Sequence, residues 1–282
     1  MSITVKAYAK INLSLDIVGK RDDGYHLLRT VMQSIGLFDV IKVGICESGI
    51  KLFCDDVSVP TDERNTVYKA CKRFFEATGQ ECGAVVEIQK NIPSQAGLGG
   101  ASADAAAALW ALNTLSEIKL SKDALFEVGA RVGADVPFCM EGGTVLCEGI
   151  GEILTRLPSL PDCTILIAKP DAGVSTAAAY ALFDSSTSPR KEYTDGVIKA
   201  LKSKDIKEAC GALGNIFESL AGISEVESIK RECLKNGALG ACMSGSGSAV
   251  YAVFDDKAKA EKCKSEISKL CGFTHICKPI RA

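Results

Sequence analysis

The run Pro93-Ser94-Gln95-Ala96-Gly97-Leu98-Gly99-Gly100-Ala101-Ser102-Ala103 places three glycines in four residues between a β-like apolar run at 85–90 and an alanine-rich helical pattern at 103–112. Glycine lets backbone N–H groups turn inward and leaves no side chain in the way of an anion. The helix behind it adds unpaired N–H groups and a partial positive charge at its N-terminus. That combination suits the phosphates of a nucleotide better than it suits a plain strand-to-helix turn, which needs fewer glycines. Two familiar phosphate loops are excluded. A Walker loop ends in Gly-Lys-Ser/Thr, and this run ends Gly-Gly-Ala-Ser. A dinucleotide fingerprint needs a third glycine where Ser102 stands.

Other residues of chemical interest are scattered along the chain. Lys10 and Asn12 lie two apart on a period-two segment, so their side chains share a face. They either hold a substrate oxygen and an anion or decorate a solvated edge. Asp135 sits in Gly133-Ala134-Asp135-Val136-Pro137-Phe138, a carboxylate in an apolar, proline-fixed setting. Such an aspartate is either paired or working, or it caps a turn. Tyr25-His26 follows the turn Asp22-Asp23-Gly24 and offers either a stacking ring with a hydrogen-bonding imidazole or simple packing. Met243-Ser244-Gly245-Ser246-Gly247-Ser248 is a second small-residue loop, either a phosphate wrap or a bare turn.

These residues need elements to position them. Residues 3–17 alternate, with Val5, Ala7, Ala9, Ile11, Leu13, Leu15 and Ile17 on one face and Lys6, Tyr8, Lys10, Asn12, Ser14 and Asp16 on the other. This pattern predicts a strand with one buried face. Further strands are expected at 30–35, 39–45, 50–54, 85–89, 145–148, 164–169, 249–254 and 274–279. Helices are expected at 65–78 (stopped by Gly79), 103–112, 121–132 (capped by Ser121, stopped by Gly133), 175–182, 195–202, 205–211, 225–236 and 257–270. Strands and helices mix without regular βαβ alternation, which argues α+β. The segment 157–162, with Pro158 and Pro161, is the expected boundary between two lobes.

Composition narrows the class. The chain has 282 residues, 47% of them apolar, which is enough for a substantial core, and its net charge is −2. No basic block and only 6% aromatic residues argue against a nucleic-acid partner. The first residues lack the apolar core of a signal peptide, and no apolar run is long enough to span a bilayer, so a soluble cytoplasmic protein is expected. Thirteen cysteines with no Cys-x-x-Cys pair, and histidine only at 26 and 275, read as buried free thiols rather than a zinc site.

Taken in order, the segments resemble the three motifs of the GHMP kinase superfamily: an N-terminal strand motif (residues 6–14), a Pro-x-x-x-Gly-Leu-Gly phosphate loop (93–103) and a C-terminal glycine-rich loop (242–248). Within it, the chain most resembles the 4-diphosphocytidyl-2-C-methyl-D-erythritol kinases of the non-mevalonate isoprenoid route. The segments that carry this are Ala9-Lys10-Ile11-Asn12-Leu13, Gly19-Lys20-Arg21-Asp22-Asp23-Gly24-Tyr25-His26, residues 133–138, Glu148-Gly149-Ile150-Gly151-Glu152, Gly173-Val174-Ser175-Thr176 and Ser244-Gly245-Ser246-Gly247. Where the family's loop usually has Gly, Gly and Ser, this chain has Gln95, Ala101 and Ala103.

The resemblance implies a two-lobed α+β GHMP kinase fold, an N-terminal lobe over 1–157 and a C-terminal lobe over 158–282, with the active site between them. It implies transfer of the ATP γ-phosphate, with Mg²⁺, to the 2-hydroxyl of diphosphocytidyl methylerythritol. Lys10 and Asp135 would be catalytic. Asn65, Lys90, Pro93, Gln95, Ala96, Gly97, Leu98, Gly99, Gly100, Ala101, Ser102 and Ala103 would bind the nucleotide. Asn12, Tyr25, His26, Thr176 and Tyr180 would bind the acceptor; the metal ligands are unassigned. A monomer or weak homodimer without nucleic-acid or membrane partners is expected. The alternatives are a kinase for another small alcohol such as homoserine or mevalonate, whose substrates carry no base for Tyr25-His26 to stack on, and a catalytically silent binding protein of the same fold, which would have no need of both Lys10 and Asp135. A redox enzyme on a dinucleotide fold fits least, because the loop follows several strands.

Overall fold

The computed structural model describes residues 1–173, 175–186 and 191–281. In chain order the first half contains β1 (Ser2–Lys20), β2 (His26–Cys46), β3 (Ile50–Cys54), α1 (Thr66–Thr78), β4 (Gly83–Gln89), α2 (Gly100–Leu115), α3 (Lys122–Val132), α4 (Val136–Glu141), β5 (Thr144–Gly149) and β6 (Ile153–Arg156). The second half contains β7 (Thr164–Lys169), α5 (Thr176–Ser185), α6 (Thr194–Ser203), α7 (Ile206–Gly211), β8 (Gly214–Asn215), α8 (Ile216–Ala221), α9 (Ser224–Lys235), β9 (Gly240–Met243), β10 (Val250–Phe254), α10 (Lys257–Ile267) and β11 (Phe273–Cys277). Among the described residues, no helix is long and apolar enough to cross a membrane.

The chain divides into two compact units that interleave along the sequence. Unit 1 is Met1–Ala9, Phe38–Ile92 and Gly99–Glu141; unit 2 is Lys10–Leu37, Pro93–Leu98 and Gly142–Ala282. Strands β1 and β2 contribute to both. The connection at 157–162, expected as the lobe boundary, runs from β6 to β7 within unit 2.

In unit 1, β4 pairs antiparallel with the later part of β2, from Val40 opposite Gln89 to Cys46 opposite Gly83, and parallel with β3. Helices α1 to α4 supply the apolar cover. Ile41, Val43, Val86 and Ile88 pack in one core with Phe74, Leu109, Leu112, Leu125 and Val136. Helix α2 is buried nearly all round, and its run of alanines leaves room for its neighbours. Helix α1 starts where its sequence signal puts it: Asn65 Oδ1 accepts from Val67 N at 2.8 Å, and Gly79 closes the helix at φ +65°.

In unit 2, the earlier part of β2 pairs with β5 from Leu28 opposite Gly149 to Gln33 opposite Thr144, and β5 pairs with β6. Strand β8 runs parallel to β1 at Ser14 and Leu15. A separate four-stranded antiparallel sheet has the order β11-β7-β10-β9. Leu166, Ala168, Val250, Ala252 and Phe254 of that sheet pack with Phe183, Phe217, Ile229 and Ile267 of its helices.

Several expectations change. The segments 30–35 and 39–45 form one continuous strand, because extended backbone carries on through Gly36 with no turn residue to stop it. β6, β8, β9, α4 and α8 are all too short to show a period. Pro137 does not break α4; it sits in the first turn, where its missing N–H is not needed. Strand β1 is not buried on one face only, since every residue from Lys10 to Ile17 is buried. The thirteen cysteines are free thiols; Cys71 and Cys242 are buried and Cys139 half-buried. Burial pushes the Cys71 thiol up to about 12, which keeps it protonated and inert.

Candidate active site

From Lys10 to Asp16 the polar face of β1 is buried, and its side chains are hydrogen-bonded within unit 2. Lys10 Nζ donates to Asn12 Oδ1 at 2.7 Å, and Asn12 Nδ2 donates to Thr30 Oγ1 at 2.9 Å. Thr30 Oγ1 donates in turn to the Ser14 carbonyl at 2.5 Å. Asp16 accepts from the backbone N–H groups of Tyr193 and Thr194 at 2.9 Å each. Lys10 is 4% exposed and Asn12 1%, so the solvated-edge alternative does not hold for this pair. A lysine buried this far and bonded to Asn12 Oδ1 has little freedom to swing away.

Both small-residue loops close on this strand. Lys10 N–H donates to Leu98 O at 2.9 Å, and Ala249 N–H to Ala96 O at 3.1 Å. Ser244 Oγ donates to Gly97 O at 2.9 Å and accepts from Asn12 N–H at 3.3 Å. Gly97 (φ +73°) permits this close approach, since a Cβ there would lie 2.0 Å from Ser244 O and something would have to shift. A Cβ on Gly245 would lie 3.3 Å from Lys10 Nζ. The stretch 243–248 is therefore no bare turn; it seals the first half of the glycine loop and borders the lysine.

Gln95 has φ +51°, the left-handed region that L-residues adopt at a cost of about 1 kcal/mol. This is the physical reason glycine is usual there. Ala101 lies inside α2, where a methyl group costs nothing, and Ala103 is packed into the core of unit 1.

The second half of the glycine loop belongs to unit 1. Gly99 (φ +71°) is the N-cap of α2 and offers no side-chain oxygen, and the first turn carries no acidic residue. The first intrahelical bond is Ala103 N–H to Gly99 O at 2.9 Å. The amides of Gly100, Ala101 and Ser102 precede it and point out of the helix end, as an anion requires. This donor set fits nucleotide phosphates.

Lys90 lies under that turn. Its Nζ bonds Asp39 Oδ2 at 2.5 Å and Asp104 Oδ2 at 2.8 Å, and Asp39 Oδ1 accepts from Asn91 and Ile92 N–H at 2.5 and 2.8 Å. Burial acts to lower the lysine's pKa, but the two carboxylates outweigh it and hold it charged. Asp104 Oδ1 is buried without a hydrogen-bond partner. Burial pushes the Asp104 carboxyl up to about 7 against the pull of Lys90. Lys90 thus ties the chain leading into the loop to the helix leading out of it. Asn65 is likewise engaged, its Nδ2 on Pro60 O at 2.6 Å and its Oδ1 on the α1 cap.

Asp135 lies in unit 1 between α3 and α4, where its carbonyl accepts from Cys139 N–H at 3.0 Å. In unit 2, His26 and Tyr180 come together: their rings stack at 4.7 Å with 21° between planes, and Tyr180 meets Phe217 edge-on at 5.0 Å. Tyr25 is 61% exposed. Thr176, first residue of α5, has its Oγ1 3.1 Å from Ser246 Oγ.

Sequence reasoning missed Asp184, which holds His26 Nε2 at 2.7 Å and Lys20 Nζ at 2.7 Å. The signal was its place one helical turn beyond Tyr180. It also missed Asp39 and the role of Asp104, a charge inside an alanine run. Asn215 and Glu218, which hold the 243–248 loop, gave no signal at all.

Comparison with known proteins agrees with this geometry. The GHMP kinases N terminal domain matches residues 65–143 and the GHMP kinases C terminal domain residues 197–272. The chain is 45% identical to a 4-diphosphocytidyl-2-C-methyl-D-erythritol kinase of Clostridium botulinum (strain Alaska E43 / Type E3), over 94% of this chain and 95% of that one. It is also 45% identical to the protein of that name from Caldicellulosiruptor saccharolyticus, over 93% and 92%. The crystal structure of a 4-(cytidine 5'-diphospho)-2C-methyl-D-erythritol kinase superposes with a TM-score of 0.82 at 28% identity, covering 99% of this chain and 100% of that one. A homoserine kinase from Cytophaga hutchinsonii shares the fold, with a TM-score of 0.79 at 22% identity over 99% and 95%. With its glycine loop, its sealed lysine strand and these matches along both halves, the chain belongs to the GHMP kinase family.

Proposed function

We infer that this protein is an ATP-dependent kinase that phosphorylates the 2-hydroxyl of 4-diphosphocytidyl-2-C-methyl-D-erythritol. The observation that carries the reading is the stacked His26–Tyr180 pair in unit 2, on two of the residues that the family resemblance assigns to the acceptor. Aromatic faces and a fixed imidazole suit a pyrimidine base. Homoserine and mevalonate offer no such base. The identity of 40–45% with relatives bearing that name supports the same acceptor.

A tertiary alcohol is a weak nucleophile. In this reading Asp135 takes its proton as the oxygen attacks the γ-phosphorus and the bond from that phosphorus to the β–γ bridging oxygen breaks, releasing ADP, while the Lys10 ammonium steadies the reacting oxygens. Backbone amides at the start of α2 hold the phosphate oxygens and orient the γ-phosphate, while Ser102 adds a hydroxyl. Mg²⁺ bound with ATP would supply charge neutralisation on the transferred group. Lys90, held by two aspartates, serves the nucleotide by fixing the loop.

The test is ADP release coupled to NADH oxidation, with diphosphocytidyl methylerythritol, homoserine, mevalonate or no acceptor. Release stimulated by the first alone is expected. Equal stimulation by homoserine or mevalonate removes the acceptor assignment, and no stimulation by any of them removes the kinase reading.

A further inference from the structure

The loop at 243–248 consists of small residues after Met243 and brings little bulk of its own to fix its path. Besides its own turn bonds, Gly247 N–H to Ser244 O at 3.0 Å and Ser244 N–H to Ala249 O at 2.9 Å, the loop is held by one turn of chain around the start of α8. Asn215, 2% exposed, is the N-cap of α8, and its Oδ1 accepts from Phe217 N–H at 3.0 Å. The same side chain's Nδ2 donates to Met243 O at 2.9 Å and to Gly245 O at 2.7 Å. Both of its donor hydrogens and one acceptor position of its oxygen are therefore used. Glu218 stands three residues later. In an ordinary capping box a glutamate there turns back to the N-cap amide. Here its Oε2 accepts from Met243 N–H at 2.6 Å, and Lys230 holds its other oxygen. The N–H and C=O of Met243 and the C=O of Gly245 are thus all gripped by one helix start.

The opposite side of the loop meets the residues of the site. Ser244 Oγ bonds Gly97 O and Asn12 N–H, and the position a Cβ would take on Gly245 is 3.1 Å from Gly97 O and 3.3 Å from Lys10 Nζ. Asn215 itself is anchored to β1, opposite Leu15, five residues along the strand from Lys10. We propose that Asn215 is a positioning residue for phosphoryl transfer, which acts through Gly245 and Ser244 to hold the loop against Lys10 and Gly97. The inference rests on the reading of Lys10 as part of the catalytic machinery.

Two variants separate the clamp from the cap. Asn215→Asp and Asn215→Ser both keep an oxygen that caps α8. Asp cannot donate to either carbonyl, and Ser avoids a buried charge while losing the paired donation. Hydrogen–deuterium exchange of each variant against wild type is read by mass spectrometry, beside kcat and both KM values in the ADP-release assay. Exchange at 243–248 is expected to rise at least tenfold with α8 still protected. The kcat per folded enzyme is expected to fall 10- to 100-fold, with both KM values within about threefold of wild type. Loss of protection in α8 together with the loop would make Asn215 a cap and nothing more. Faster exchange in the loop with unchanged kcat would overturn the link to catalysis. A wild-type protein inactive with every acceptor would remove the kinase reading, while the exchange data would still decide whether Asn215 holds the loop.

Discussion

Gly97→Ala isolates the seal between the two small-residue loops, and Gly79→Ala is its internal control. Both glycines lie in the left-handed region, at φ +73° and +65°. Alanine in that region costs about 1–2 kcal/mol, offset in part by about 0.4–1 kcal/mol of lost freedom in the unfolded chain. At Gly79 a Cβ meets nothing within 4 Å, so the net cost is the backbone term, about 1 kcal/mol. At Gly97 the new Cβ would stand 2.0 Å from Ser244 O and 2.9 Å from its carbonyl carbon. Carbon and oxygen rest at about 3.3 Å, so the Ser244 carbonyl must retreat by about 1 Å. That movement stretches the Ser244 Oγ bond to Gly97 O (2.9 Å) and the Gly247 N–H bond to Ser244 O (3.0 Å). Each contributes about 1 kcal/mol. Gly97→Ala should then be less stable than Gly79→Ala by about 2 kcal/mol, or about 3–4 °C in Tm for a chain of this size. The displaced loop borders Lys10, so kcat/KM should also fall by about 10²-fold, while Gly79→Ala keeps wild-type turnover. Melting curves and ADP release on the same preparations give both numbers. A Gly97→Ala protein that melts within about 1 °C of Gly79→Ala and turns over like it would show that the close approach of the two loops is not required.

The remaining expectations concern charge and recognition. Asp135→Asn and Lys10→Ala should each lower kcat by about 10²–10⁴, and the double variant little further; near-normal turnover in Asp135→Asn removes it from the base role. His26→Ala should raise KM for the acceptor and leave KM for ATP near wild type, and the opposite pattern would assign His26 to the nucleotide. Asp104 has its carboxyl raised from an ordinary 3.8 to about 7 in the folded protein. The folded state therefore binds this proton more tightly than the unfolded chain, and stability is lost as pH rises from about 4 through 7. Asp104→Asn cannot ionise, so its Tm relative to wild type should climb between pH 5 and 8; a flat difference would mean that Asp104 carries its charge throughout.

Local chemistry made part of this protein legible from its residues alone. Asn65 and Gly79 bound α1 as their side-chain and backbone preferences require, and Ser121 caps α3 through Ala124 N–H at 3.2 Å. The alternation of β1, the glycine loop ahead of an alanine-rich helix and the ordered motifs of a kinase family are patterns that a few neighbouring residues carry. The burial of β1's polar face was not of that kind. For Lys10 and Asn12 a solvated edge stayed open beside a working role because the groups that cover them, Thr30 and Ser244, lie 18 and 232 residues from Asn12. Asp39 and Asp104 looked like ordinary acidic residues until Lys90 joined them, and Asn215 looked like one polar residue in a short segment without periodicity. The interleaving of the two units also has no local signature, since β1 passes from one to the other after Ala9 without a turn, a proline or a change in composition. A cap or a turn is decided within about four residues by backbone geometry. Which polar face is sealed, and which carboxylates share one ammonium, depends on partners that only the folded chain brings within hydrogen-bonding distance.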